Sequence, residues 1–589
     1  MALVRVFLYA PIVAMLVVAC EKEKGEDEPE EEPRITGTVT TTSQNNVSSD
    51  DGGGNDDPPP VQEDDEEEEE QVVPEHIVAL TADCLGLDCG ASGATTYSGS
   101  GIGVWKYENT SGIPQHVDVN LTGVNGRDMM LVVTNQASGP VNLPSYELSP
   151  ASHIQRSSIM PGPSQPERPR IVPFTPPFEP ELSLGDRLMR RQPSRSSMFP
   201  LPPPPPSLSI VGDTRNFYHT DETNRAATLK KIVTTTDGTT VQFWVETSEY
   251  DVAKITDAMI DTLAEKFADD TNAESVYTMV TALHGLPWGD HGYIDLIPDG
   301  QPIDIVLLNF NNDQQPFGTI GYFWALHNFV QEDDSQFENS NESLSFYLDT
   351  ETLYEVDPSE MESSLKIEVS TLAHEFVHMI NFFQRSVMLG NDLDGWMEEM
   401  SAMMMEDVVS LKLDQDYNTI RDDRMAGWLA NKRYNCQLTA WGDDYEEPCF
   451  GYEVAGPFGG HLLRHYGIGF YQSMLTANTD PAEHVWLDDL LIAEGSSLKE
   501  EVRRWGASVA LLPATGVPVG FGLPERIELG YTLPAIVKPE YDGWRELPAS
   551  VPATLAPLGH FPMARTPSAD SFSEFVEVPP GTALTVIVK

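Results

Sequence analysis

The ten residues 371–380 carry the pattern His374-Glu375-Phe376-Val377-His378. Two histidines four apart on a helix stand one above the other on the same face. Two neutral imidazoles so placed can bind one metal ion together. Glu375 is turned from His374 by roughly 100°. It is therefore expected to reach a water held by the metal rather than the metal itself. The chemistry this points to is hydrolysis, with Zn²⁺ activating water and Glu375 taking its proton.

The elements that must position these groups are two helices. Residues 363–387 contain no Pro or Gly, and Val369, Leu372, Phe376, Met379, Ile380 and Phe383 recur at helical spacing. Residues 395–407 form a second candidate helix, on which Trp396, Glu399, Met403 and Glu406 share one face. Either Glu406 or Asp407 can accept an N–H from a ligand histidine. The run of methionines reads as core filler.

A catalytic site needs a third protein ligand and one open position. The metzincin pattern would place Gly at 381 and His at 384. Asn381 and Gln384 stand there, so that pattern is excluded. Glu398 and Glu399 on the second helix are the remaining candidates, the gluzincin arrangement. The stretch Ser370-Thr371-Leu372-Ala373-His374-Glu375-Phe376-x-His378-Met379-Ile380-Asn381-Phe382, followed by Trp396-x-x-Glu399-Met400-Ser401-x-Met403-x-x-Glu406-Asp407, resembles the hyicolysin family of zinc metallopeptidases. The resemblance implies one Zn²⁺ per chain, held by His374, His378 and Glu399. Where the family usually carries Asn, this chain has Glu398. The resemblance also implies a sheet above the metal helix, whose edge strand pairs with substrate. Segments 321–323 and 345–348 are the candidates for that edge. Gluzincins use a Tyr or His to stabilise the oxyanion, and Tyr452 is the candidate here. The likeness spans roughly residues 212–533 and is specific around the two metal helices.

Taken in order, the chain opens with a targeting segment, residues 1–19, in which Arg5 precedes an apolar run. Val17-Val18-Ala19-Cys20 resembles a bacterial lipoprotein box, so Cys20 is expected to carry lipid and anchor an exported protein at the outer membrane or cell surface. Residues 20–75 read as a disordered acidic tether. The net charge of −57 argues against nucleic acid and anionic lipid surfaces as partners.

Residues 76–150 alternate as strands do, and Val117, Val119 and Leu121 would share one face of a small all-β domain. Residues 151–211 form a Pro-rich linker with an Arg cluster, a candidate processing site. The catalytic domain spans 212–535. It includes a hairpin around Asp237-Gly238, an amphipathic helix through Val252, Ile255, Met259, Leu263 and Phe267, and a buried strand at 304–308. In residues 536–589, strands 575–578 and 583–588 flank Pro579-Pro580-Gly581-Thr582, which predicts a terminal hairpin.

Of five cysteines, Cys84, Cys89, Cys436 and Cys449 remain after Cys20. They suit two short loops, Cys84–Cys89 and Cys436–Cys449, although four cysteines allow three pairings. His461 and His465 share the i, i+4 spacing but lack the adjacent acid, and read as a structural pair. The expected class is α+β, and the expected activity is zinc-dependent endopeptidase action on proteins outside the cytoplasm. The competing class is a surface-tethered binding protein, an adhesin, with an inert or structural metal site.

Overall fold

In the computed structural model the described residues are 77–84, 86–148, 171–172, 209–269, 273–331, 335–356, 361–442, 445, 447–477 and 482–589. The leader, the acidic tether with Cys20, and most of the Pro-rich linker lie outside them. Four strands of three or more residues open the described chain: β1 (Ile77–Ala79), β2 (Gly103–Glu108), β3 (Gln115–Thr122) and β4 (Met129–Asn135). In β3, Val117, Val119 and Leu121 are buried while Asn120 and Thr122 face out, the alternation that its sequence predicts.

Six strands then build the sheet of the catalytic part: β5 (Thr214–Tyr218), β6 (Asn224–Thr234), β7 (Thr240–Glu246), β8 (Ile303–Leu308), β9 (Gly321–Phe323) and β10 (Leu344–Asp349). Their order is β9-β10-β8-β7-β6-β5. β7, β8 and β10 run parallel, and β8 is buried along its whole length, as a parallel strand covered on both faces must be. The β6–β7 hairpin turns at Asp237-Gly238, where Gly238 takes φ 93°. β9 runs antiparallel to β10 at the end of the sheet, with Gly321 opposite Leu348 and Phe323 opposite Phe346. Of the two segments proposed for the edge, 321–323 is therefore the edge and 345–348 is interior.

The helices that matter to the site are α1 (Asp257–Phe267), α2 (Val276–His284), α3 (Met361–Asn381), α4 (Gly395–Leu413) and α5 (Tyr452–Thr476). α1 begins later than its apolar pattern suggests. The Thr256 hydroxyl accepts from the Met259 amide and caps it, which leaves Val252 outside the helix and 93% exposed. α3 packs beneath β9 and β10 and runs into a single π-helical turn at Phe382–Val387. α4 lies against both α3 and α5. Gly456 and Gly459 on α5 let it close on α4: a Cβ there would stand 2.6 Å from Met403 Sδ and 2.7 Å from Met404 Cγ. The buried methionines of α4 fill this seam, as expected.

After α6 (Leu498–Gly506) the chain returns to its first four strands. β11 (His560–Arg565), β12 (Ser571–Val578) and β13 (Thr582–Val588) complete a two-sheet body with β1–β4. β12 pairs with β3 in one sheet, and β13 lies between β2 and β4 in the other. The predicted terminal hairpin does not form. β13 is buried along its length and satisfies both backbone edges as an interior strand. Pro579 and Pro580 cannot donate to a ladder, so the chain crosses between the sheets there. The described residues of 77–148 and 536–589 thus share one core, with Trp105, Leu131, Phe561 and Val586 inside it.

This body is joined to the helices by Arg503 of α6, which is fully buried. Arg503 pairs with Asp83 and with Glu500 (2.7 Å), and donates to Thr585 Oγ1 on β13 at 3.1 Å. The disulfides Cys84–Cys89 and Cys436–Cys449 are both present, and the second closes the loop that leads into α5.

Candidate metal centre

α3 and α4 cross so that the two imidazoles face one carboxylate. Glu399 Oε2 lies 3.0 Å from His374 Nε2 and 3.7 Å from His378 Nε2. Ligand-capable atoms of His374, His378 and Glu399 all lie within 4.8 Å of one another, and no other group of three such side chains is found among the described residues. All three are buried.

The outer nitrogens of the two rings are also engaged. His374 Nδ1 is 2.6 Å from Glu406 Oε1, while Ser370 donates to Glu406 Oε2 at 2.9 Å. His378 Nδ1 is 2.8 Å from Glu398 Oε1. Each carboxylate accepts, so each Nδ1 carries a proton, and a metal bound between the rings would meet the lone pair of each Nε2. The two neighbouring acids of α4 thus divide the work: Glu399 faces inward and Glu398 braces the second ring. Asp407, the alternative to Glu406, points elsewhere and pairs with Arg464 and Asn418. It sits one residue past Glu406, about 100° around the helix.

This donor set fits a divalent cation that accepts nitrogen and carboxylate ligands. The local field argues the same way. Burial alone would lower both imidazoles, yet the bonds to Glu399 and Glu406 carry His374 up to about 9. The charge of Glu399 and the bond to Glu398 likewise hold His378 well above its usual range. A site that holds protons this firmly favours positive charge between the rings.

Glu375 lies against the edge strand. It is buried, its Oε2 has no hydrogen-bond partner among the described residues, and burial pushes it up to about 7 against the pull of both histidines. Gly321 of β9 lies directly against it: a Cβ at Gly321 would be 3.0 Å from Glu375 Oε1 and 2.6 Å from Thr371 Cγ2.

Tyr452, the first residue of α5, is fully buried beside the cluster. Its ring is 6.4 Å from the His374 ring, and its hydroxyl hydrogen-bonds with Glu399. Burial pushes the phenol well above its usual range, and the charges of Glu399 and Glu375 push it further. The Arg424 guanidinium lies 5.1 Å over the ring. His461 and His465 do not converge on a common point. His461 bonds Glu501 at 2.8 Å, and His465 bonds the Gly522 carbonyl at 2.9 Å.

Several of these neighbours escaped the sequence reading. Asn381 follows His378 by three residues and so shares its face, a signal open to inspection. The approach of Gly321 and Arg424 depends on long-range packing and leaves no local signal.

Residues 221–589 match the Peptidase M30 family. The chain belongs to that family. With a buried two-histidine, one-glutamate cluster on the matched segment, it is a metallopeptidase. Residues 82–148 match a domain of unknown function, DUF8571. No curated protein matches the chain. Among solved structures, a two-domain M1 zinc metallopeptidase variant bound to L-arginine aligns at 13% identity and TM-score 0.25, over 48% of this chain and 51% of that one. An M1 zinc metallopeptidase from Deinococcus radiodurans aligns at 11% identity and TM-score 0.26, over 74% and 76%.

Proposed function

We propose that this chain is a zinc-dependent endopeptidase of hyicolysin type, acting on proteins outside the cytoplasm and tethered through lipid on Cys20. The observation that carries the catalytic reading is the convergence of both Nε2 atoms on Glu399, with each Nδ1 tied to a separate carboxylate. His374, His378 and Glu399 would hold one Zn²⁺, which when bound acidifies water and polarises a carbonyl.

The rest of the chemistry belongs to the chain. Glu375, in its ionised form, accepts the proton of the attacking water. It then returns that proton to the amine that leaves as the C–N bond breaks. Its unpartnered Oε2 is the atom suited to this exchange. The Tyr452 hydroxyl donates to the oxygen on which negative charge develops. β9 lies at the end of the sheet, so an extended substrate can add to it as a further strand and bring its carbonyl beside Glu375.

The test compares wild type, wild type with chelator, and Glu375→Gln on an unfolded protein such as casein. Glu375→Gln is expected to retain zinc and lose about 10²–10⁴-fold in kcat, and chelator to abolish activity. Wild-type turnover in the zinc-loaded variant would remove Glu375 from the reaction. Release of terminal residues alone, without internal cuts, would replace the endopeptidase reading with an exopeptidase one.

A further inference from the structure

Behind His378 a buried hydrogen-bonded chain continues through two more residues and reaches a third helix. Asn381 Nδ2 donates to Glu398 Oε1 at 2.8 Å and to Ser401 Oγ at 3.0 Å. Asn381 Oδ1 is 2.6 Å from Nε2 of His284, the last residue of α2. Ser401 passes its own hydrogen to the Glu398 carbonyl at 2.8 Å. Asn381, Ser401 and His284 are buried.

The polarity of this chain is fixed at one end. The Glu398 carboxylate accepts only, so the amide of Asn381 must turn its NH₂ toward it. Both hydrogens of that NH₂ are then used, and Oδ1 is left to accept. His284 must therefore carry its proton on Nε2. Burial pushes that ring down to about 4, so it holds a single proton at neutral pH. Every bond runs one way, from His284 through Asn381 to Glu398, which also takes the proton of His378 Nδ1.

We propose that Glu398, Asn381 and His284 form a positioning chain that holds the His378 imidazole in the tautomer and orientation a metal needs. Metal retention then depends on residues well outside the ligand set. The inference rests on the metallopeptidase reading of the site. Asn381 pins the carboxylate from the side opposite the ring. His284 keeps the amide from flipping, since a flip would set the NH₂ against the Nε2–H of His284, as well as Oδ1 against the carboxylate. A bland account also exists: Glu398 lies near the N-terminus of α4, where an acid helps the helix whatever it binds. That account predicts a change in stability and no particular change in zinc affinity.

The experiment measures Zn²⁺ affinity of the full-length protein by competition with a chromophoric chelator, together with thermal unfolding of the zinc-free form. Loss of such outer partners weakens metal binding by about 10–100-fold. Asn381→Asp, which faces Glu398 with a second acceptor, and Glu398→Ala are expected in that range. Glu398→Gln keeps an acceptor and should weaken zinc less than Glu398→Ala does. Zinc-free melting temperatures of the two Glu398 variants should stay close to wild type. If Asn381→Asp fails to fold, the Glu398 pair still decides, because that side chain is partly exposed and Gln has its shape. Wild-type zinc affinity in Glu398→Ala, or a loss confined to zinc-free stability, would overturn the proposal. Failure of the wild type itself to bind zinc would instead overturn the metallopeptidase reading, and this inference with it.

Discussion

Adding one carbon at Gly321 tests how closely the edge strand and the base are matched. In Gly321→Ala the new Cβ would stand 2.6 Å from Thr371 Cγ2 and 3.0 Å from Glu375 Oε1, where ordinary contact begins at 3.4 Å. β9 cannot simply retreat. Gly321 pairs with Leu348, and the Ile320 carbonyl accepts from the Asp349 amide at 2.9 Å. Thr371 cannot retreat either, since α3 is buried throughout this stretch. The flexible end of Glu375 yields most easily. Restoring contact moves Glu375 Oε1 by about 0.4 Å; a full 1 Å misplacement of a catalytic group costs about 100-fold in rate, or roughly 2.7 kcal/mol in the barrier, so about tenfold is expected here. Overpacking should also cost about 1–3 kcal/mol of stability. The assay is steady-state cleavage of a peptide substrate by folded, zinc-loaded protein. We expect kcat to fall by about tenfold with zinc content unchanged. A kcat within about twofold of wild type would refute the claim that Gly321 sets the position of the base.

Two further predictions concern stability. Glu368 on α3 is fully buried, neither carboxyl oxygen has a partner among the described residues, and burial holds it well above its usual 4.5, with Asp349 and Glu375 adding to the shift. The folded state thus holds a proton that the unfolded chain releases above pH 4.5, so stability falls as pH rises from there toward the folded-state pKa. Glu368→Gln removes that dependence. Its advantage over wild type should widen by up to about 1.4 kcal/mol per pH unit in that window. Denaturant titrations at pH 5 and pH 8 that give the same difference would contradict this. Arg503→Met should cost about 1.5–3 kcal/mol, because Asp83 and Glu500 lose their buried partner and keep Lys106 and, for Glu500, Arg504. Circular dichroism and tryptophan fluorescence should report one shared transition for wild type, because Arg503 ties α6 to β13. Two separated transitions in wild type would show instead that the two-sheet body folds independently.

The histidine pair was legible because its geometry is local. A four-residue helical spacing places His374 and His378 on one face whatever surrounds them. The alternation of β3, the turn at Asp237-Gly238 and the buried run of β8 were legible for the same reason, since each depends on near neighbours and a period. The start of α1 was misread because apolar spacing continues through Val252 while the Thr256 cap stops the helix. The last two strands were misread because a tight link between strand-like runs also suits a crossover between sheets.

By itself the sequence determined that two histidines and a nearby glutamate would share a helix. It also determined that acids would follow on a second helix, and that the chain would mix helices with strands. It left Glu398 and Glu399 as alternatives, and Glu406 and Asp407 as another pair. Those choices are made by the crossing of α3 with α4, a contact between residues some 25 positions apart that no local propensity encodes. The same holds for Gly321 against Glu375 and for the union of residues 77–148 with 536–589. Such contacts are selected by the burial of whole faces and by the need of each buried polar atom for a partner, and those demands are met only when the complete fold closes.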